Sequence, residues 1–207
     1  MSITVLISAF LALLVAFAVH EYAHGLMAYK LGDPTAKYEG RLTLNPLVHL
    51  DPIGSLVMLF TIMMSHGQLV YGWAKPVMIN RDNFRKPILD AALVAFAGPF
   101  SNFVLAFLGG LPLLLAVVHE PTLITFLYVF VLANTGFGLF NLIPCPPLDG
   151  WKIVQVVVPR TFAYQMQDWE EAAGMWAVII LFVGFQFIGD PIFQPVLRTL
   201  VGLFTGT

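Results

Sequence analysis

Apolar residues run along this chain in long blocks separated by short polar, turn-rich stretches, and the block lengths predict the elements. Ile3 to about Met27 is long enough, at about 1.5 Å per residue, to cross about 30 Å of hydrocarbon as a helix. Its end falls at the breaker Gly32-Asp33-Pro34. Ile88 to about Val118 predicts a second full span. Leu123 to about Cys145 predicts a third, after a short turn at 119–122, and Ala172 to Ile188 a fourth. Residues 52–65 are apolar but short, a length more typical of re-entrant or interfacial segments. Between the first two full spans, 36–44 and 68–80 read as short strands, with Pro76 restricting the second to an edge position. The tail 191–207 is apolar but interrupted by Pro191 and Pro195, and its pattern fits either a crossing or an interfacial helix.

The fold expected is therefore an all-α polytopic membrane protein. It is a helix bundle of about four to six membrane segments, with short β-hairpin or re-entrant elements between the first two full spans. One domain, 1–207, is expected, with its core in 1–150 and C-terminal membrane segments in 170–207. Composition agrees. Of 207 residues 58% are hydrophobic and 11% charged, with mean hydropathy +0.83, whereas a soluble domain carries about 25% charged residues. The bilayer is thus the first partner. The net charge of −2 says little about partners, and no basic run points to nucleic acid. A lone cysteine, Cys145, rules out an internal disulfide and argues against a thiolate metal site. The first apolar run lacks a charged n-region and leads into a metal motif, not a cleavage site, so it reads as a retained span.

Charge also orients the chain. Nine of the ten Lys and Arg lie in 28–90 and 150–169, and the 119–122 turn has none. The positive-inside rule puts both rich segments in the cytoplasm, so the N-terminus is extracytoplasmic and the first helix ends inside. Residues 52–65, between two cytoplasmic ends, must then dip in and return or belong to an even number of crossings, and their short length favours dipping in.

Titratable groups are costly in a bilayer, yet His20-Glu21-Tyr22-Ala23-His24 sits within the first apolar block. This is HExxH. Positions i and i+4 share a helix face, so both imidazoles can reach one ion, and the intervening glutamate can take a proton from water beside it. With five His and five Glu in 207 residues, chance gives about 0.003 such matches. Zinc at a hydrolytic site needs a third protein ligand and an open fourth position. Asp33 and Glu39 lie beyond the helix break. His49 and Asp51 fall in the hairpin region, His66 and His119 are isolated, and Asp190 precedes a proline as a turn residue. Asp149 follows a Pro-rich break at the cytoplasmic end of the third span, at a depth similar to His20 and His24. Its alternative role is capping the helix after Gly150.

HExxH in a first span with "NLIPCPPLDG" (141–150) in a later one resembles the site-2 protease family of intramembrane metalloproteases. "NPLVHLDPIGSL" (45–56), "GWAKPVMINRDNFRKP" (72–87) and "AGPFSN" (97–102) are similar to its compact prokaryotic branch, without an accessory soluble module. The resemblance implies one Zn2+ held by His20, His24 and Asp149, with Glu21 as general base. It also implies a role near the substrate carbonyl for Asn141. Asn134, seven residues before Asn141, shares its helix face and is either a support to the site or a bundle hydrogen bond. Asn102 carries the same ambiguity, with helix packing favoured.

The implied function is hydrolysis of a peptide bond in or near the transmembrane segment of membrane-protein substrates, such as membrane-tethered regulators or remnant signal peptides, in a prokaryotic cell membrane. Strand-like 36–44 and 68–80 would hold the unwound substrate by edge pairing. The alternatives are a metal transporter or sensor, which needs ligands along a pathway, and an inactive scaffold, which has no need of Glu21.

Overall fold

Every fourth residue of the first helix is small or a histidine: Ser8, Ala12, Ala16, His20, His24 and Ala28 are all buried. A computed structural model describes residues 3–64, 75–184 and 190–207, and in it this row is the ridge by which α1 (Ile3–Leu31) packs on its neighbours. Ridges of small side chains let helix backbones approach closely where lipid supplies no hydrophobic drive between helices. The partner helix α5 (Pro87–Leu114) answers with Ala91, Ala95, Gly98, Asn102, Ala106 and Gly110, also buried. Helix α6 (Pro121–Asn141) adds Val131, Asn134, Thr135 and Gly138. These three helices pack on one another and are the described helices long and apolar enough to cross a membrane.

The large apolar side chains point the other way. Ile3, Ile7 and Leu11 on α1, Phe96, Phe100 and Phe107 on α5, and Leu123 and Tyr128 on α6 are exposed. Small residues inside and large apolar ones outside is the arrangement of a protein whose solvent is lipid.

Between the spans lie α2 (Thr35–Tyr38), α3 (Pro46–His49) and α4 (Pro52–Met64). The strand expected at 36–44 is not formed. Asp33 accepts hydrogen bonds from the backbone N–H and hydroxyl of Thr35, and Tyr38 and Glu39 donate to Pro34 and Thr35 carbonyls, which closes a helical turn there. Residues 75–80 form neither helix nor strand; 68–74 of the second expected strand lie outside the described residues. Helix α4 has 13 residues, about 20 Å as a helix, and runs up to the stretch 65–74 that lies outside the described residues.

Beyond α6, the chain turns into α7 (Asp149–Val154), which packs on α5. Helix α8 (Arg160–Gly184) kinks at Gly174, and the end of the expected fourth span, 185–188, lies outside the described residues. Helix α9 (Asp190–Thr205) forms the tail, where Leu197 and Val201 pack on Ala106 of α5 and Val131 of α6.

Candidate metal centre

The packing ridge of α1 carries the two histidines inward, one turn apart. Their second nitrogens are held by α5: His20 Nδ1 lies 2.7 Å from Asn102 Oδ1, and His24 Nδ1 lies 2.7 Å from the Val94 carbonyl oxygen. A carbonyl only accepts, so His24 carries its hydrogen on Nδ1. The Asn102 amide is oriented by its own donations, to the Ala16 carbonyl at 3.1 Å and to Asn134 Oδ1 at 3.2 Å, which leaves Oδ1 for His20. Asn134 in turn donates to the Phe130 carbonyl. Both imidazoles therefore turn Nε2 toward each other, 2.9 Å apart. Asn102 acts on a metal-ligand candidate and not only in packing, and Asn134 supports Asn102.

Asp149 arrives from outside the three-helix core. It is the first residue of α7, Leu148 is the N-cap, and no side chain caps that helix, so the capping role is not taken. Its Oδ2 lies 3.2 Å from His20 Nε2 and 3.3 Å from His24 Nε2. Gly150 makes this possible: a Cβ there would run into the Leu142 and Ile143 carbonyl oxygens, so only glycine lets α7 start this close to the end of α6. Gly98 does the same for the histidines, where a Cβ would stand 2.5 Å from His24 Nε2 and 2.7 Å from His20 Cε1.

Two nitrogen lone pairs and a carboxylate oxygen thus converge in a buried space, and Asp149 Oδ2 receives no hydrogen bond. Such a cluster repels itself unless a cation or a proton lies within it. Ligands about 2.0–2.1 Å from a tetrahedral ion stand about 3.3 Å from one another, so the triangle fits a zinc-sized ion. His20, His24 and Asp149 are the group able to hold a metal among the described residues.

The cluster opens into a cavity of about 470 Å³ whose walls include Glu21, Asn141, Phe137 and the stretch Pro76–Ile79. Glu21 Oε2 accepts the backbone N–H of Val77 at 2.8 Å. Asn141 lies on the wall with its amide donating to the Phe137 carbonyl at 3.0 Å. The other ligand candidates are engaged elsewhere: His49 with the Thr43 carbonyl, Asp51 with the Gly54 N–H, Glu39 with Arg41, and Asp33 with Thr35, Asn80 and Asn83. His119 is exposed, Asp190 opens α9, and His66 lies outside the described residues. Sequence reasoning missed the Val94 carbonyl, the Val77 N–H and Gly98. The first two carry no side-chain signature, and the third was visible only as part of "AGPFSN".

Comparison with known proteins identifies the family. The description peptidase family M50 matches residues 115–185, the stretch that holds Asn134, Asn141 and Asp149. Two similar proteins bear the name "Putative zinc metalloprotease". YwhC of Bacillus subtilis is 40% identical over 181 residues, covering 84% of this chain and 78% of its own length. Rip2 of Mycolicibacterium smegmatis is 31% identical over 146 residues, covering 69% of this chain and 54% of its own. "Zinc metalloprotease MJ0392" of Methanocaldococcus jannaschii is 30% identical over 155 residues, covering 75% of this chain. This chain spans about a third of MJ0392 (35%). No solved structure matches the chain. With that identity over most of its length and a metal-competent cluster among apolar helices, the chain belongs to peptidase family M50.

Proposed function

We propose that this protein is a zinc-dependent intramembrane endopeptidase that hydrolyses a peptide bond in or near the transmembrane segment of membrane-protein substrates. The observation that carries the reading is the buried triangle of His20 Nε2, His24 Nε2 and Asp149 Oδ2, opening into a cavity that also holds Glu21. The names of its relatives support zinc as the ion. Bound there, zinc would polarise the scissile carbonyl and acidify water. Glu21 would take a proton from the attacking water as its oxygen adds to the carbonyl carbon, then pass it to the amine as the C–N bond breaks. Asn141, on the cavity wall, would hold the substrate backbone.

A helical substrate buries its scissile carbonyl in its own hydrogen bonds and must unwind before attack. An extended segment in the cavity would lay side chains against the wall that includes Phe137 and bring its backbone near Glu21 and Asn141. The charge distribution supports an N-terminus outside and a site near the cytoplasmic face, because α1 runs from an uncharged start to Lys30 and the basic 28–90 segment. A transporter would need ligands along a path, and the described residues hold a single such group.

Reconstitution of the purified protein with a single-span substrate tests this, comparing wild type with Glu21→Gln. Zinc-dependent cleavage by wild type and none by a zinc-loaded Glu21→Gln is expected. Equal cleavage by both would remove Glu21 as the base. Comparison of membrane proteomes with Glu21 intact and replaced would then identify substrates.

A further inference from the structure

The Asp33 carboxylate is completely covered and gathers four hydrogen bonds. Its Oδ1 accepts the Thr35 N–H at 3.1 Å, the Thr35 hydroxyl at 2.5 Å and the Asn83 side-chain amide at 2.7 Å. Its Oδ2 accepts the Asn80 backbone N–H at 2.8 Å. Burial pulls this carboxyl upward, but the bonds from Thr35, Asn83 and Asn80 outweigh that pull and hold it below its ordinary value. Two of these donors, Asn80 and Asn83, belong to a different part of the chain from α1, about fifty residues on.

That part is a strap of irregular chain ending in a 3-10 turn at Arg81–Asn83. Its far end is tied by the Lys75 N–H to the His49 carbonyl at 2.8 Å, and its near end by Phe84, buried against Ala28, Ala91 and Val94. Between the ties, Pro76 to Ile79 form one wall of the cavity, and the Val77 N–H points at Glu21 Oε2. A general base with one carboxylate oxygen fixed by a backbone N–H presents the other in a defined direction. The strap has no helix or sheet of its own at 75–80 to keep it there, so the ties decide its position.

We infer that Asp33 is a positioning residue for the general base: it pins the 75–84 strap so that the Val77 N–H aims the Glu21 carboxylate. The inference rests on the proposed peptidase reading for its kinetic consequence, but not for the structural one. Asp33 touches neither substrate nor metal ligands and acts only through the strap. Replacing it by Asn keeps its shape but turns an N–H2 toward donors that need an acceptor, so the tie at Asn80 or at Thr35 and Asn83 is lost.

Two readouts test it on the full-length protein in detergent or liposomes. Hydrogen–deuterium exchange of peptides covering 75–84 reports the strap directly, without activity. Asp33→Asn should speed exchange there at least tenfold, Asn83→Ala by less, and Asp82→Asn, at an exposed neighbour, not at all. In cleavage assays Asp33→Asn should lower kcat by about ten- to a hundredfold, the range for a misplaced reacting group, with KM and zinc content unchanged. Combining it with Val77→Pro should add little to the loss from Val77→Pro alone, because both act through one N–H. Unchanged strap exchange in Asp33→Asn would overturn the inference. So would a kcat loss that tracks zinc loss, or additive effects of the two substitutions. If wild type shows no zinc-dependent cleavage, the peptidase reading fails, and the exchange experiment still decides whether Asp33 pins the strap.

Discussion

Gly98→Ala offers a direct trial of the metal centre, because a single methyl group is enough to collide with both histidines. The added Cβ would lie 2.5 Å from His24 Cε1 and Nε2 and 2.7 Å from His20 Cε1. Relief requires a shift of about 1 Å to reach ordinary carbon–nitrogen contact at about 3.5 Å. The rings cannot swing aside freely. Their Nδ1 hydrogens are held by Asn102 and the Val94 carbonyl, on the same helix that would carry the new methyl. Moving either ring therefore breaks a hydrogen bond with a net value of about 1 kcal/mol and takes Nε2 out of a geometry that tolerates a few tenths of an ångström. Disturbing one histidine's support costs about 10–100-fold in metal affinity. With both histidines displaced, a loss near the upper end, about 100-fold or roughly 2.7 kcal/mol, is expected. Zinc titration of the purified protein against a competing chelator measures it. Gly109→Ala, on the same helix, is the control, since its Cβ would meet only the Phe130 ring, a side chain that can turn. Zinc affinity within threefold of wild type in Gly98→Ala would refute the argument that α5 sets the ligand geometry.

Asp149→Ala should leave two ligands and bring zinc from about one per chain to near none after dialysis, read by elemental analysis; full occupancy would reassign the third ligand. Asn102→Leu should weaken zinc binding about 10–100-fold, and Asn134→Leu should weaken it less, because Asn134 reaches His20 only through Asn102. Chelator competition on both variants orders the two effects. The Asp33 clamp should be insensitive to pH near neutrality. A carboxyl held below its ordinary value contributes fully above about pH 5 and loses that contribution only as pH falls through the lowered value, so the protection factor of 75–84 should stay flat from about pH 5 to 8.

How much of this was legible beforehand depended on whether a role lies in a side chain or in a backbone group. HExxH and the aspartate of LDG are side-chain signals: the i, i+4 spacing put His20 and His24 on one face, and the family resemblance added Asp149, which lies beside them. The three long spans were legible because block length alone distinguishes a span from a shorter element. The strand reading at 36–44 failed because one residue outside the window decided it: Asp33 captures Thr35 and starts a helical turn, whatever the apolar pattern that follows. The Val94 carbonyl and the Val77 N–H were invisible for a related reason. Every residue carries a carbonyl and every one but proline an N–H, and only tertiary placement singles out the two that touch His24 and Glu21. Asn102 stood between these cases. The sequence displays the side chain, but its partner is 82 positions away.

The same small-residue ridge that packs α1 also presents the metal ligands, and this makes bundle assembly and site assembly one event. Ala16 and Ala12 let α1 approach α5 closely enough for Asn102 to reach both the Ala16 carbonyl and His20. If a larger residue replaced Ala12 or Ala16, the helices would separate, and the first bonds to lengthen would be those that orient the imidazoles. Asp149 is held by different means, through the contact of Gly150 with the end of α6. The third ligand can therefore be displaced without unpacking the core, whereas the first two cannot. Loss of the metal should consequently loosen α7 while α1, α5 and α6 stay packed, since the triangle is what ties α7 to α1 across the cavity.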